Sequence, residues 1–128
     1  MMHHLMLRKN FIAQHFLIGK DFGAENLRHS HHYSFELEIA NTELDEFNFL
    51  IDIVEVRAHI DQLISYFQDK ILNELPEFKN QNPSLELFSK ILWQKFNNHI
   101  DLPVDSQITI RLWEDDIAQA SYRETKCA

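Results

Sequence analysis

A chain of 128 residues is long enough for one hydrophobic core but short for two, so we expect a single domain over residues 1–128. Its 45% of hydrophobic residues exclude a disordered chain, and its net charge of −8 argues against nucleic acid as a partner. No apolar run approaches the ~20 residues of a membrane span, and the start MMHHLMLRKN lacks the apolar stretch of a secretory signal, so we expect a cytoplasmic protein without membrane association.

Two segments near the start alternate as half-buried strands do. Residues 5–17 place apolar side chains and His15 on one face, with polar side chains between them. Residues 29–40 place His29 and His31 on one face with later apolar residues, while His32 points to the other face. The segment GKDFGAENLR between them predicts a loop.

The middle of the chain changes to a helical pattern. ANTELDE indicates a turn, and FNFLIDI predicts a third strand of an antiparallel meander. From Val54, apolar residues recur three and four apart, which predicts a helix that ends before Pro76. Asn82 and Pro83 indicate the start of a second amphipathic helix, with Asn82 as its cap and Pro83 in the first helical position.

The last third predicts strands again. QITIRLWE is typical of a strand whose inward apolar row ends in the carboxylate of Glu114. DDIAQASYRE indicates a short final strand with a weaker pattern. The only cysteine, Cys127, allows neither a disulfide framework nor a cysteine metal site, so a metal would have to be held by histidine or carboxylate.

Three of the 8 histidines have the spacing of metal ligands. His29 and His31 form an H-x-H pair, which on a strand projects two imidazoles from one face about 7 Å apart. An antiparallel hairpin would bring His15 alongside them. Three imidazoles leave one tetrahedral position open, as in a catalytic zinc that polarises a substrate oxygen or a bound water. The spacing equally allows hydrogen-bonded core histidines.

Two carboxylates are candidates for chemistry beside these histidines. Glu114, at the inner end of a strand, could accept two N–H bonds from a flat heterocycle such as the 2-amino, 3-NH edge of a pterin. Glu25, in the loop before the histidine pair, could act as a general base. From the residues alone, a solvated carboxylate is the favoured interpretation at both positions.

The order of the motifs resembles the 6-pyruvoyltetrahydropterin synthase and 6-carboxytetrahydropterin synthase family over almost the whole chain. FIAQHF is similar to its F-x-A-x-H segment, HSHHY to H-G-H-x-Y, FLIDIVEV to its strand-to-helix segment, NPSLE to N-P-T-x-E, and LWE to its strand that ends in Glu. The resemblance implies an α+β tunnelling fold, a four-stranded antiparallel sheet with two helices on one face. It also implies trimers whose sheets close a barrel, often stacked as hexamers, with the pterin pocket between subunits.

The resemblance also implies a role for individual residues. It makes His15, His29 and His31 ligands of Zn2+, and Glu114 the anchor of the pterin. It further places Ser84 near the pterin, with Glu86 in support.

Two catalytic positions of the family differ in this chain. The family cysteine four residues before the H-G-H motif is here Glu25, and some members with glutamate there are associated with cleaving 7,8-dihydroneopterin triphosphate to 6-hydroxymethyldihydropterin. The family's Asp-His pair aligns without gaps with Gln68 and Asp69, and after a one-residue shift with Asp69 and Lys70. Both alignments stay open.

The resemblance leads to three functional hypotheses. The first is a zinc-dependent carbon–oxygen or carbon–carbon lyase acting on 7,8-dihydroneopterin triphosphate or a related dihydropterin, with Glu25 moving a proton and Asp69 or Lys70 assisting. The second is a glutamate-type variant that cleaves the side chain to 6-hydroxymethyldihydropterin. The third is a non-catalytic protein that keeps the metal site and binds a pterin or purine.

Overall fold

The structure is a computed structural model that describes residues 1–126, so Cys127 lies outside the described part of the chain. Its strands are β1 (His3–His15), β2 (His29–Asn41), β3 (Gln107–Glu114) and β4 (Ala118–Thr125). Its helices are α1 (Ile53–Phe67) and α2 (Leu85–His99). Short 3₁₀ turns cover Gly23–Asn26, Leu72–Glu74 and Pro76–Phe78.

The four strands form one antiparallel sheet, as predicted, and their order within it is β1-β2-β3-β4. Both helices pack on the same face, where α1 contacts β1 and α2 contacts β3 and β4. The alternation of β2 sends Phe35, Leu37 and Ile39 into this layer, where each is at most 1% exposed. The alternation read from the sequence therefore identified the core face of the sheet.

Each helix begins at a side-chain cap. The Asp52 carboxylate accepts a hydrogen bond from the Val54 backbone N–H, and the Ser84 hydroxyl accepts one from Leu87. The second cap corrects the prediction for Asn82, because α2 starts after Ser84 and the Asn82 amide binds the backbone of Ile18 instead. Across residues 1–126, neither helix has the length and apolar character that a membrane span requires.

The predicted third strand at FNFLIDI is wrong. Residues 47–52 form a turn and loop because the Asp45 carboxylate accepts hydrogen bonds from the N–H groups of Phe47 and Phe49. Asn48 adopts φ 67°, a left-handed conformation that ends any extended run. The strand order is therefore two strands, two helices and two strands, and the fourth strand is β4 rather than this segment.

The face of the sheet away from the helices carries charged pairs. Arg8 and Trp113 donate hydrogen bonds to the Glu36 carboxylate, and Arg111 donates one to Glu38. Burial works to raise the pKa of Glu36, but these hydrogen bonds and the charges of Arg8 and Arg111 outweigh it, so the pKa lies below its ordinary value. Glu36 is thus held ionised on a half-buried surface.

Candidate metal centre

The strand register brings the three predicted histidines together. His15 pairs directly with His29 across β1 and β2, and His31 lies two residues further along β2 on the same face. Their ring centroids form a nearly equal-sided triangle, with separations of 4.6, 4.8 and 4.7 Å. Each side chain is at least partly buried, and His15 is only 5% exposed. One face of a hairpin end therefore presents three imidazoles to a common point.

The Nδ1 atom of each ring has a partner in the protein. His29 Nδ1 donates to the Leu27 carbonyl oxygen at 2.7 Å, and His31 Nδ1 donates to the Asp115 carboxylate. His15 Nδ1 lies 3.3 Å from the Tyr33 hydroxyl. Because a carbonyl and a carboxylate only accept, each of these two rings carries a proton on Nδ1, and in the neutral form of the ring Nε2 carries the lone pair.

These two Nε2 atoms face carboxylates without a hydrogen bond. His29 Nε2 lies 2.8 Å from Glu25 Oε2, and His31 Nε2 lies 2.7 Å from Glu114 Oε1. Both nitrogens are nevertheless buried atoms that lack a hydrogen-bonding partner of acceptable geometry. A lone pair that faces a carboxylate oxygen at this distance is repelled unless a proton or a metal cation lies between them. A metal cation between these atoms would remove the repulsion, as would a second proton on the ring.

Burial shifts the pKa of two further groups. It lowers the pKa of His15 to about 4, with the neighbouring His31 and His29 acting in the same direction, so this ring is neutral near pH 7. A hydrogen bond to the Pro83 backbone opposes this shift. Burial also raises the pKa of Glu114, although the neighbouring His31 opposes this shift. A neutral imidazole is the form that binds a metal.

The donor set fits a zinc ion. The ligand atoms of His15, His29, His31 and Glu25 all lie within 4.8 Å of one another. Zinc takes imidazole nitrogen and carboxylate oxygen in tetrahedral sites, and metal-binding histidines commonly donate their second ring N–H to a carbonyl or carboxylate. The Leu27 carbonyl behind His29 and the Asp115 carboxylate behind His31 are partners of this kind. The identity of the ligands stays a prediction that agrees with the geometry.

Comparison with known protein families identifies the same family as the sequence motifs. A sequence profile described as 6-pyruvoyl tetrahydropterin synthase matches residues 4–125. The chain belongs to this family. No curated protein sequence matches it at a significant level.

Solved structures of synthases have the same fold. The Caenorhabditis elegans 6-pyruvoyl tetrahydropterin synthase aligns with a TM-score of 0.81 and 16% identity, over 97% of this chain and 96% of that one. A Plasmodium vivax 6-pyruvoyltetrahydropterin synthase, a catalytic-residue mutant with glutamate replaced by alanine, aligns with a TM-score of 0.81 and 14% identity over 98% and 99%. The Plasmodium falciparum 6-pyruvoyl tetrahydropterin synthase aligns with a TM-score of 0.78 and 12% identity, over 97% of this chain and 98% of that one. The chain therefore has the tunnelling fold of the 6-pyruvoyl tetrahydropterin synthase family.

The predicted carboxylates of the site lie beside the histidines. Glu114 pairs with Tyr33 across β3 and β2, which places it next to His31 on the histidine face. Glu25 belongs to the 3₁₀ turn Gly23–Asn26, and its backbone carbonyl accepts a hydrogen bond from Leu17 at 2.9 Å. Its side chain is 54% exposed, so the carboxylate reaches both the histidines and solvent.

Two asparagines fix the loop that carries Glu25. The Asn73 amide pairs with both backbone groups of Phe16 at 2.9 and 2.8 Å, and the Asn82 amide pairs with both backbone groups of Ile18 at 2.7 and 3.1 Å. Each amide therefore forms the same pair of hydrogen bonds to one residue that an adjacent β-strand would form. The loop after β1 is thereby attached to the connection between the two helices.

The remaining predicted residues lie outside the histidine cluster. Ser84 uses its hydroxyl to cap α2, and Glu86 is exposed in the first turn of that helix. Asp69 adopts φ 61° in the loop after α1 and donates its backbone N–H to Ile12. Lys70 directs its ammonium to the Tyr66 carbonyl and ring. Asp69 lines a surface cleft together with Asn10 and His32.

Sequence reasoning missed the groups that hold the histidine rings. Asp115 belongs to the segment DDIAQASYRE, which predicts a weak final strand, and Tyr33 shares the histidine face of its predicted strand without an assigned role. Leu27 contributes its backbone carbonyl, which carries no sequence signal. An acidic residue directly after a strand that faces an H-x-H pair is a signal that could have suggested Asp115.

Proposed function

We propose that the chain is a zinc-dependent lyase that acts on 7,8-dihydroneopterin triphosphate or a related dihydropterin. The observation that carries this proposal is the cluster of three imidazoles, two of which place buried Nε2 atoms that lack a hydrogen bond against carboxylates. Membership of the 6-pyruvoyl tetrahydropterin synthase family supports the pterin class of substrate. His15, His29 and His31 are the proposed ligands.

The bound zinc would supply a Lewis acid that polarises a substrate oxygen. Glu114 would hold the substrate, because its carboxylate on the histidine face can accept two N–H bonds from the 2-amino, 3-NH edge of a pterin. Glu25 would move the proton, since its Oε2 atom lies beside the metal ligands while much of the side chain reaches solvent. Ser84 and Glu86 remain proposed contacts at the start of α2.

The second catalytic group is proposed to be Asp69 or Lys70. Asp69 is the stronger candidate, because the Lys70 ammonium is already bound at the C-terminal end of α1. Since Asp69 lines a cleft with Asn10 and His32 rather than the histidine cluster, this role requires a pocket formed between two copies. We therefore also propose self-association into a trimer or hexamer. The outer edge of β4 supports it, because within residues 1–126 this strand pairs only with β3.

The glutamate-type reaction, which yields 6-hydroxymethyldihydropterin, is the second candidate. It is favoured by the position of Glu25 against His29 Nε2, where the family's cysteine would otherwise act. A catalytic residue of the Plasmodium vivax relative is also a glutamate, since its mutants replace that residue by alanine or cysteine. A non-catalytic pterin- or purine-binding protein is the third candidate, because the family's catalytic histidine has no counterpart at Asp69 or Lys70.

Metal analysis and a product assay test these candidates. The purified protein is analysed for zinc, then incubated with 7,8-dihydroneopterin triphosphate, and the products are identified by mass spectrometry. We expect about one zinc per chain and a product, with Glu25→Gln lowering kcat at least about 100-fold as expected for a lost general base. Glu46→Gln, another exposed loop glutamate, is the matched control. Absence of zinc after metal loading would refute the proposal, and tight binding without turnover would select the third candidate.

A further inference from the structure

The turn between β3 and β4 contains an unusual pair of residues. The Ile117 N–H donates to the Glu114 carbonyl oxygen at 3.0 Å, so Asp115 and Asp116 are the two central residues of a tight hairpin turn. Their φ angles are 52° and 57°. Positive φ at both central positions is the geometry that Asn-Gly or Asp-Gly normally fills, because a side chain is disfavoured there. Two aspartates at these positions suggest that a carboxylate is needed in this turn.

Of the two carboxylates, that of Asp115 is hydrogen-bonded to His31 and His32 on β2. Asp115 Oδ1 accepts the backbone N–H of His32 at 3.0 Å, and Asp115 Oδ2 accepts from His31 Nδ1. The Asp115 backbone N–H in turn donates to the His32 carbonyl oxygen at 2.8 Å. Asp116 instead lies near Arg8, Ser34 and Trp113 on the other face of the sheet. The turn therefore joins Asp115 to the end of β2 by three separate hydrogen bonds.

The partner of His31 differs in charge from the partners of the other two rings. His29 has a neutral carbonyl and His15 a neutral hydroxyl at Nδ1, whereas His31 has a carboxylate. A carboxylate can only accept, so in the neutral ring it retains the proton on Nδ1 and leaves the lone pair on Nε2. Its negative charge also makes the imidazole a stronger ligand, which is a common role for a residue behind a metal-binding histidine.

We propose that Asp115 is a positioning residue that fixes the Nδ1–H tautomer of His31 and thereby prepares its Nε2 atom to bind the metal. This inference rests on the proposed zinc site, although the tautomer itself can be measured without metal. Asp115 need not touch the substrate to act in this way. Its contribution passes through the orientation and basicity of one imidazole.

The test compares Asp115→Asn with Asp116→Asn. Asparagine adopts positive φ readily, so both variants keep the turn. In Asp115→Asn, one amide oxygen can still accept from His32 N–H, but the NH₂ group then faces His31 Nδ1–H, and two donors repel each other. The ring should change to the Nε2–H tautomer, which removes the lone pair aimed at the metal. Asp116→Asn makes the same chemical change in the same turn away from the histidines.

Two measurements are made on each variant. Two-bond ¹H–¹⁵N correlation spectra of the metal-free protein, at mildly alkaline pH, report which ring nitrogen of His31 carries the proton. Competition with a chromogenic chelator gives the zinc Kd. We expect Asp115→Asn to show the Nε2–H tautomer and zinc binding about 10–100-fold weaker than wild type, with Asp116→Asn unchanged in both.

The outcomes separate this inference from the proposed function. An unchanged Nδ1–H tautomer in Asp115→Asn would overturn the inference, whether or not zinc binds, as would a zinc Kd within about twofold of wild type. A wild-type protein that takes up no zinc would instead overturn the proposed function. In that case the tautomer spectra still decide whether Asp115 controls the ring.

Discussion

Zinc should stabilise the folded chain through the three imidazoles, and the size of the effect can be estimated. A ligand at about 100 times its Kd adds about 2.7 kcal/mol to the free energy of unfolding. For 128 residues at about 2.1 cal/mol/K each, the unfolding entropy is about 0.27 kcal/mol/K, so the melting temperature should rise by about 10 °C. Differential scanning calorimetry of metal-free protein, with and without zinc, measures this shift.

Replacing one ligand should remove most of the shift. If His29→Gln weakens zinc binding about 100-fold, the same zinc concentration adds only about 0.4 kcal/mol, or about 1.5 °C. His32→Gln is the matched control, because His32 lies three residues after His29 on the same strand and its side chain is exposed on the other face. A full shift in His29→Gln, or no shift in the wild-type protein, would refute the assignment of the metal site.

Three further substitutions test the scaffold. The pKa of Glu36 is lowered in the folded chain, so its pairing with Arg8 stabilises the fold fully above the ordinary glutamate pKa of about 4.3. This stabilisation is lost as the pH falls through the lower pKa of the folded state. In urea unfolding, the difference in stability between wild type and Glu36→Gln should therefore become smaller as the pH is lowered. Asn82→Asp replaces the donor to the Ile18 carbonyl by an acceptor and should cost about 0.5–1.5 kcal/mol by the same measurement, because water can reach this exposed carbonyl; an unchanged midpoint would contradict the amide pairing. Phe88→Ala, at a fully buried ring, should cost about 3–5 kcal/mol, and a loss below about 1 kcal/mol would contradict its core position.

The sequence predicted the histidine cluster because two periodicities coincide there. A strand period of two places His29 and His31 on one face, and a hairpin pairs that face with His15. Glu114 followed from the same alternation in the strand QITIRLWE. These residues depend only on which face of a strand they occupy, and that property can be read from the alternation of apolar and polar side chains.

The errors arose where side chains rather than periodicity decide the backbone. FNFLIDI has the composition of a strand, yet Asp45 binds two backbone N–H groups and closes a loop there. Asn82 has the composition of a helix cap, yet its amide finds a distant partner in Ile18, and Ser84 caps α2. Asp115 escaped notice because its role depends on the register between β2 and β3. Contacts between distant residues have no local pattern.

The two asparagine–backbone pairs also bear on how the site can move. Phe16 and Ile18 follow the last residue of β1, but their amide protons are bound as firmly as those inside a ladder. Hydrogen exchange at these two positions should therefore be slow for a loop. Asn73 and Asn82 lie in the connection between the helices. Their hydrogen bonds therefore link this connection to the segment that carries Glu25. An insertion between residues 73 and 82 would displace the proposed base without altering a single residue around the histidines.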